Sequence, residues 1–161
     1  MPRRLDPAKV APAALEFMLD IESYLAKCGL DRALLHLIKM RASQINGCAH
    51  CLDMHSKDAR AEGETEQRLY ALDAWRETPF YSARERAALA WTEALTLIAH
   101  THAPDDVYRD VRAQFSEREL VDLTIAIVAI NGWNRIAIGF RAEPGTYQPA
   151  KRTRLTEKVE Q

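Results

Sequence analysis

The segment from Leu120 to Ile130 constrains the fold of this 161-residue chain most strongly. It follows a capping box, with Ser116 three residues before Glu119, which is a pattern that starts an α-helix. Because the segment is apolar almost all round, a helix here belongs at the centre of a bundle or in a subunit interface. The sequence therefore predicts an all-α, single-domain protein that is oligomeric.

The rest of the chain also predicts helices and no convincing strand. Apolar residues recur at spacings of three and four, and glycine, proline and capping residues separate the segments. One domain is expected over residues 1–161, with a core at about 12–142 and a tail at 143–161 that is loose or draped on a neighbour. The second predicted helix runs from its cap at Asp31 to the break at Asn46-Gly47. The others are predicted at about 12–27, 48–62, 64–74, 82–99, 104–114, and from 116 to about 130 or beyond.

Composition argues against several functional classes. Lys plus Arg is 22 and Asp plus Glu is 23, so no basic excess points to nucleic acid or anionic lipid. Residues 1–7 lack the apolar run of a signal peptide, and the longest apolar stretch, 123–130, is far short of the roughly 20 residues of a membrane span. We expect a cytoplasmic protein, in which three cysteines are not a disulfide framework.

Cys48 and Cys51 form a C-x-x-C motif that is followed by His55. On a helix these three residues share one face, and the i, i+3 spacing brings the two cysteine Cα atoms within the roughly 4.4–6.8 Å that a disulfide tolerates. The break at Asn46-Gly47 puts Cys48 at a helix N-terminus, where free N–H groups and the helix dipole favour a thiolate. The motif therefore predicts reversible dithiol–disulfide chemistry, with His55 exchanging a proton with Cys51.

Two other interpretations of this motif remain open. The cysteines could be small buried apolar residues, or Cys48, Cys51 and His55 could bind zinc. The zinc site lacks an obvious fourth ligand, and neither interpretation accounts for a turn that places the first cysteine at a helix start. We therefore predict no metal and no cofactor.

The segment Ser-Gln-Ile-Asn-Gly-Cys at 43–48, with Cys51 and His55, resembles the signature of the carboxymuconolactone decarboxylase superfamily, in its AhpD-like alkylhydroperoxidase branch. The decarboxylases proper lack the C-x-x-C. The resemblance covers about residues 15–144. Three further segments resemble the same branch: 74–77, 85–94 and 129–135.

This resemblance implies an AhpD-like helical bundle assembled as a trimer or hexamer, and a thiol-dependent peroxidase or disulfide reductase. One cysteine attacks a hydroperoxide and becomes a sulfenic acid, the other closes a disulfide, and a dithiol protein or small thiol reduces the pair. By position, Cys51 matches the attacking cysteine, Cys48 the proton-donating and resolving cysteine, and His55 the relay histidine. The helix dipole alone favours Cys48 as the more acidic thiol, so the two assignments conflict.

Position 36 departs from the family pattern, because the relay usually includes a Glu twelve residues before the first cysteine and this chain has His36 there. A histidine can relay protons but cannot hold the fixed negative charge that orients His55. His36 is therefore either a relay group or a merely buried or interface histidine. Glu93 either pairs with an arginine or replaces the missing acid.

Weaker expectations concern single residues and other functions. Cys28 is expected to pack and His50 to face solvent. We expect Trp91, Trp133 and Tyr70 in the core, and Asn134 and Arg135 in a pocket or a subunit contact. Two other functions stay open: a redox-sensing oligomer without catalysis, and a lyase or isomerase that acts on a small acid through His36 and His55.

Overall fold

The computed structural model describes residues 2–149, and every regular element in that range is a helix. The all-α prediction is confirmed. The elements are α1 (Pro7–Val10), α2 (Ala13–Leu25), α3 (Arg32–Asn46), α4 (Ala49–Ala61), α5 (Glu66–Ala71), a 3₁₀ helix (Leu72–Glu77), α6 (Ala83–Thr96), α7 (Ile98–Thr101), α8 (Asp105–Gln114) and α9 (Glu117–Phe140).

Capping residues fix most of these boundaries where the sequence predicts them. The hydroxyl of Ser82 accepts the N–H of Glu85 and the Glu85 carboxylate accepts the N–H of Ser82, and Ser116 and Glu119 repeat this arrangement at the start of α9. Asp31 caps α3 by accepting the N–H of Ala33 at 2.8 Å. Each such cap stabilises its helix by about 1 kcal/mol.

Two boundaries differ from the prediction. The segment at 64–74 divides into α5 and the 3₁₀ helix, and the helix from Ala83 ends at Thr96 and is followed by the short α7. α9 continues beyond Ile130, as the sequence allows, and ends at Phe140. Gly132 lies within α9 and packs closely against α2. A Cβ at Gly132 would lie 3.0 Å from Cε of Met18.

α3 is the central helix, packed against α4, α6 and α9. Its Leu37 and Ile38 are fully buried and belong to two different core clusters. Leu123 and Ile130 of α9 are also fully buried. Burying each of these side chains stabilises the fold by about 1.5–3 kcal/mol.

α9 is long and apolar enough to cross a membrane by length and composition alone. Core helices of soluble proteins can be equally long and apolar, and one face of α9 packs into the core of this bundle. Val121 and Val128, on the opposite face, are exposed to solvent, and so is Ile138 near the C-terminal end of the helix. The expectation that no apolar segment reaches a spanning length is therefore wrong for α9, because the helix extends beyond Ile130.

Candidate active site

The turn between α3 and α4 positions the cysteine motif. Gly47 adopts a left-handed conformation, with φ of 67°, that ends α3. The N–H of Gly47 bonds to the carbonyl of Gln44 and the N–H of Cys48 bonds to the carbonyl of Ser43, which is a Schellman motif. Cys48 is also the N-cap of α4, so the end of one helix places the first cysteine at the start of the next, as predicted.

A buried amide network holds this turn against α9. The Nδ2 group of Asn46 donates to Oδ1 of Asn131 at 2.9 Å and to Oδ1 of Asn134 at 2.8 Å. Asn134 is fully buried and donates to the hydroxyl of Ser43 at 3.1 Å. The prediction that Asn134 lines a pocket or a subunit contact is wrong, because Asn134 fixes the turn inside the core.

Cys48 and Cys51 lie side by side as a disulfide pair, with their Cα atoms 5.4 Å apart. Both are almost fully buried, at 1% and 2% exposure. The backbone N–H of Cys51 donates to Sγ of Cys48 at 3.4 Å. This contact and the N-terminal position of Cys48 favour negative charge on its sulfur.

His55 follows the cysteines on the inner face of α4, and only 7% of the residue is exposed. Burial, together with the nearby charges of Lys39, His36 and His50, lowers the pKa of His55 from 6.5 to about 3. The ring is therefore a neutral imidazole at physiological pH. A neutral imidazole has a free lone pair that a thiol proton can reach. Because its pKa is so low, His55 does not keep that proton and can serve only to pass it on.

An apolar cavity of about 470 Å³, here called the thiol cavity, lies beside Cys51 and His55. Cys51 borders it and Cys48 does not. A bound molecule in this space would therefore meet the sulfur of Cys51. Its apolar walls include Leu15, Leu19, Met54, Trp133, Ile136 and Phe140.

His55 also borders a second cavity of about 540 Å³, here called the polar cavity. His36 borders it, with Nε2 3.1 Å from Oε2 of Glu62. Neither ring nitrogen of His36 makes an aligned hydrogen bond within residues 2–149. The ring is held near the carboxylate and faces the cavity. The charged and titratable side chains around this cavity are Glu22, Arg32, His36, Lys39, His55, Asp58, Glu62 and Tyr147.

The carboxylates divide into two groups. Glu93 pairs with Arg41 and Arg76 and accepts the indole N–H of Trp75. The expectation that Glu93 pairs with an arginine is therefore confirmed. Glu93 borders neither cavity. Glu22 borders both cavities and accepts Nζ of Lys39 at 2.6 Å. Sequence reasoning missed Glu22 and Glu62 as site residues, because each reaches the site only through helix packing. α2 packs against α9, and α4 packs against α3.

Residues 143–149 lie along α4 of their own chain. The Nδ1 atom of His50 lies 3.0 Å from the carbonyl of Glu143, Nζ of Lys57 donates to the carbonyl of Tyr147, and the hydroxyl of Tyr147 donates to Asp58 at 2.7 Å. Burial and this hydrogen bond raise the pKa of Tyr147 to about 12. Residues 150–161 of the expected tail lie outside the described residues.

The remaining single-residue expectations have mixed outcomes. Trp91 is buried as expected, but Tyr70 is 78% exposed and Trp133 borders the thiol cavity. His50 also borders that cavity instead of facing open solvent, because residues 143–149 cover it. Arg135 is exposed and bonds to its own helix.

Two other expectations concern the thiols and metal binding. Cys28 packs against the core as expected, and its thiol donates to the carbonyl of Leu25 at 3.2 Å. Within residues 2–149, no group of three or more His, Cys, Asp or Glu side chains is arranged to hold a metal ion.

Known proteins resemble this chain in sequence and fold. The family model described as "Carboxymuconolactone decarboxylase family" matches residues 12–94. YdfG of Bacillus subtilis, an uncharacterized protein, is 47% identical over 138 residues, which cover 86% of this chain and 94% of YdfG.

Two solved structures share the fold. ATU0492 of Agrobacterium tumefaciens, described as of unknown function and as a candidate antioxidant defence protein AhpD, is 47% identical, with a TM-score of 0.88 and coverage of 91% of this chain and 100% of that chain. The debrominase Bmp8, solved with 2,3,4-tribromopyrrole, is 19% identical, with a TM-score of 0.76 and coverage of 84% and 73%. At that identity the likeness to Bmp8 concerns the fold alone.

Proposed function

Since the chain belongs to the carboxymuconolactone decarboxylase family, in its AhpD-like branch, we propose that it is a thiol-dependent hydroperoxidase that cycles Cys48 and Cys51 between dithiol and disulfide. The observation that carries this proposal is the paired cysteines, of which only Cys51 borders the thiol cavity. A debrominase shares the fold, so the fold alone does not assign the reaction.

The reaction begins at Cys51. His55 takes the thiol proton, and the thiolate attacks the terminal oxygen of a hydroperoxide, ROOH. The O–O bond breaks, Cys51 becomes a sulfenic acid, and the alkoxide leaves with a proton as the alcohol, ROH. The apolar walls of the thiol cavity suit the R group of an organic hydroperoxide.

Cys48 completes the cycle. Its sulfur attacks that of the Cys51 sulfenic acid, a disulfide forms, and water leaves. A dithiol protein or small thiol then reduces the disulfide by thiol–disulfide exchange and is itself oxidised. Per turnover, one hydroperoxide and one dithiol become one alcohol, one water and one disulfide. Such a donor is maintained in a reducing compartment, so we place the protein in the cytoplasm.

The proposal also includes a homo-oligomer, a trimer or a hexamer. Its support is a set of exposed apolar side chains on α9: Val121, Val128 and Ile138. Phe17 on α2 and Ile98 on α7 are also large, apolar and more than half exposed. Contact with further copies of the chain would remove such side chains from water.

The test is turnover of cumene hydroperoxide with dithiothreitol as donor, with mass spectrometry to locate the disulfide. We expect a Cys48–Cys51 disulfide after peroxide treatment. Cys51→Ser should abolish turnover, and Cys48→Ser should leave a sulfenic acid on Cys51 that dimedone traps. Cys28→Ser is the matched control and should keep the full rate.

The alternatives give different outcomes. A reversible Cys48–Cys51 disulfide without turnover would indicate a redox sensor and refute the peroxidase. If both of these thiols stay free under peroxide, or if only Cys28 is oxidised, the dithiol chemistry itself is wrong. A lyase or isomerase acting through His36 and His55 would be unaffected by Cys51→Ser.

A further inference from the structure

We propose that Glu62 is the carboxylate of the proton relay and acts through His36 as a positioning residue. The inference rests on the proposed peroxidase function. It accounts for position 36, where the usual glutamate is a histidine that cannot supply a fixed negative charge. Glu62 brings that charge to the same place from the C-terminal end of α4.

The first step of the argument is the geometry of the pair. Oε2 of Glu62 lies 3.1 Å from Nε2 of His36, and the two side chains are only 24% and 13% exposed. When two groups are partly shielded from water, the electrostatic attraction between a carboxylate and an imidazolium is stronger than in bulk solvent. Glu62 therefore stabilises the protonated form of His36, which is the form produced when the neutral ring takes a proton from the relay.

The second step is the anchoring of Glu62. Nε of Arg32 donates to Oε2 of Glu62 at 3.0 Å, and the guanidinium NH2 group contacts Oε1. Burial alone would raise the pKa of Glu62, but the hydrogen bonds from Arg32 and the nearby His36 ring outweigh it and hold that pKa below its usual value. Glu62 is therefore a fixed negative charge at neutral pH, as a relay carboxylate must be.

The third step is the connection to the thiol. His36 and His55 border the polar cavity, and His55 and Cys51 border the thiol cavity. His55 takes the proton of the Cys51 thiol, and the proton crosses the polar cavity to His36, where Glu62 holds it. The same proton returns to the alkoxide that leaves after O–O cleavage, so no proton is gained or lost in this part of the cycle.

Other charged and titratable groups line the same cavity as His36. Arg32 and Lys39 lie on its own helix, Glu22 comes from α2, and His55 and Asp58 come with Glu62 from α4. Tyr147 approaches from the C-terminal segment. Lys39 is paired with Glu22 and Asp58 with the Tyr147 hydroxyl. Within the described residues, Glu62 is the carboxylate at ion-pair distance from the His36 ring.

The experiment is the pH profile of kcat/KM for cumene hydroperoxide and dithiothreitol, measured with the full chain. In Glu62→Gln we expect the relay-dependent limb of the profile to move to lower pH, with a rate near pH 7 about tenfold lower. Relative to Glu62→Gln, the variant Glu62→Asp should restore part of the rate and part of the position of that limb. Glu66→Gln removes another arginine-paired glutamate and should leave the profile unchanged.

A double-mutant cycle sharpens the test. His36→Glu restores a carboxylate at the relay position, so in that background Glu62→Gln should cost nothing or raise the rate by relieving repulsion. An equal loss in both backgrounds would show that Glu62 acts on stability and not through His36. Thermal unfolding of each variant checks that the protein is folded.

The His36 ring signal in NMR gives a readout that is independent of turnover. Its midpoint should fall in Glu62→Gln and stay in place in Glu66→Gln. Unmoved midpoints and superimposed pH profiles would overturn the role of Glu62 and leave the peroxidase proposal standing. If the midpoint moves but the wild-type protein turns over no peroxide, the peroxidase proposal fails, and with it the relay.

Discussion

The buried, neutral state of His55 predicts a loss of stability in acid that one substitution should remove. In the folded protein, burial and the nearby charges of Lys39, His36 and His50 lower the pKa of His55 to about 3. In the unfolded chain the same ring titrates near 6.5. Between these values the unfolded state binds a proton that the folded state rejects, so protons favour unfolding.

The sign and the size follow from that difference. The contribution of His55 is fully present above about pH 6.5 and is lost as pH falls toward 3. A full pH unit between the two pKa values corresponds to about 1.4 kcal/mol, and at pH 6.5 the unfolded ring is only half protonated. Between pH 6.5 and 4.5 the free energy of unfolding should therefore fall by about 2.3 kcal/mol through His55 alone. That is a large share of the 5–15 kcal/mol typical of a domain.

The assay is urea unfolding followed by circular dichroism between pH 7.5 and 4.5, on the oxidised protein so that Cys48 and Cys51 do not titrate. Carboxylates also titrate in this range, so the informative quantity is the difference between the wild-type protein and His55→Gln. The wild-type curve should fall more steeply with acid. His100→Gln replaces an exposed histidine and should keep the wild-type slope.

Parallel curves for wild type and His55→Gln would refute the reasoning, since they would mean that His55 titrates alike in both states. NMR of the His55 ring tests the same point without a variant. The signal should stay that of a neutral imidazole at pH 5 in the folded, oxidised protein. A midpoint near 6.5 would contradict the lowered pKa.

Three further outcomes are expected. Asn134→Leu deprives the Asn46 amide of a buried acceptor, so urea unfolding should show a loss of about 1–3 kcal/mol, and an unchanged midpoint would contradict this. Tyr147→Phe removes the hydrogen bond to Asp58, so amide hydrogen exchange should quicken in residues 143–149 and not in α3. Light scattering should give a trimer or hexamer that Val128→Glu weakens, whereas an 18.3 kDa wild-type monomer at micromolar concentration would contradict the oligomer.

The fold was predictable because its signals are local. Ser82, Ser116 and Asp31 cap the helices that they precede, and Gly47 ends α3 in the conformation that glycine adopts most readily. The end of α9 was not predictable in the same way. Glycine weakens a helix interior, and the close approach of Gly132 to Met18 becomes visible only once the helices are packed.

The candidate site likewise has a part that local sequence predicts and a part that depends on tertiary packing. Cys48, Cys51 and His55 lie on one helix, so their spacing alone predicts that they share a face. Glu62 and Asn134 reach the site from distant parts of the chain, and no periodicity links Glu62 to His36 or Asn134 to the turn at Asn46. Their roles depend on helix packing, which sequence spacing does not specify.

The conflict between the two cysteine assignments disappears once acidity and access are treated as separate requirements. The N–H of Cys51 donates to the sulfur of Cys48, which favours negative charge there, yet Cys48 does not border the thiol cavity. A sulfur that holds negative charge well is the better leaving group in thiol–disulfide exchange. The arrangement therefore suits Cys51 for attacking the peroxide and for being attacked by the reducing thiol, while the stabilised sulfur of Cys48 leaves.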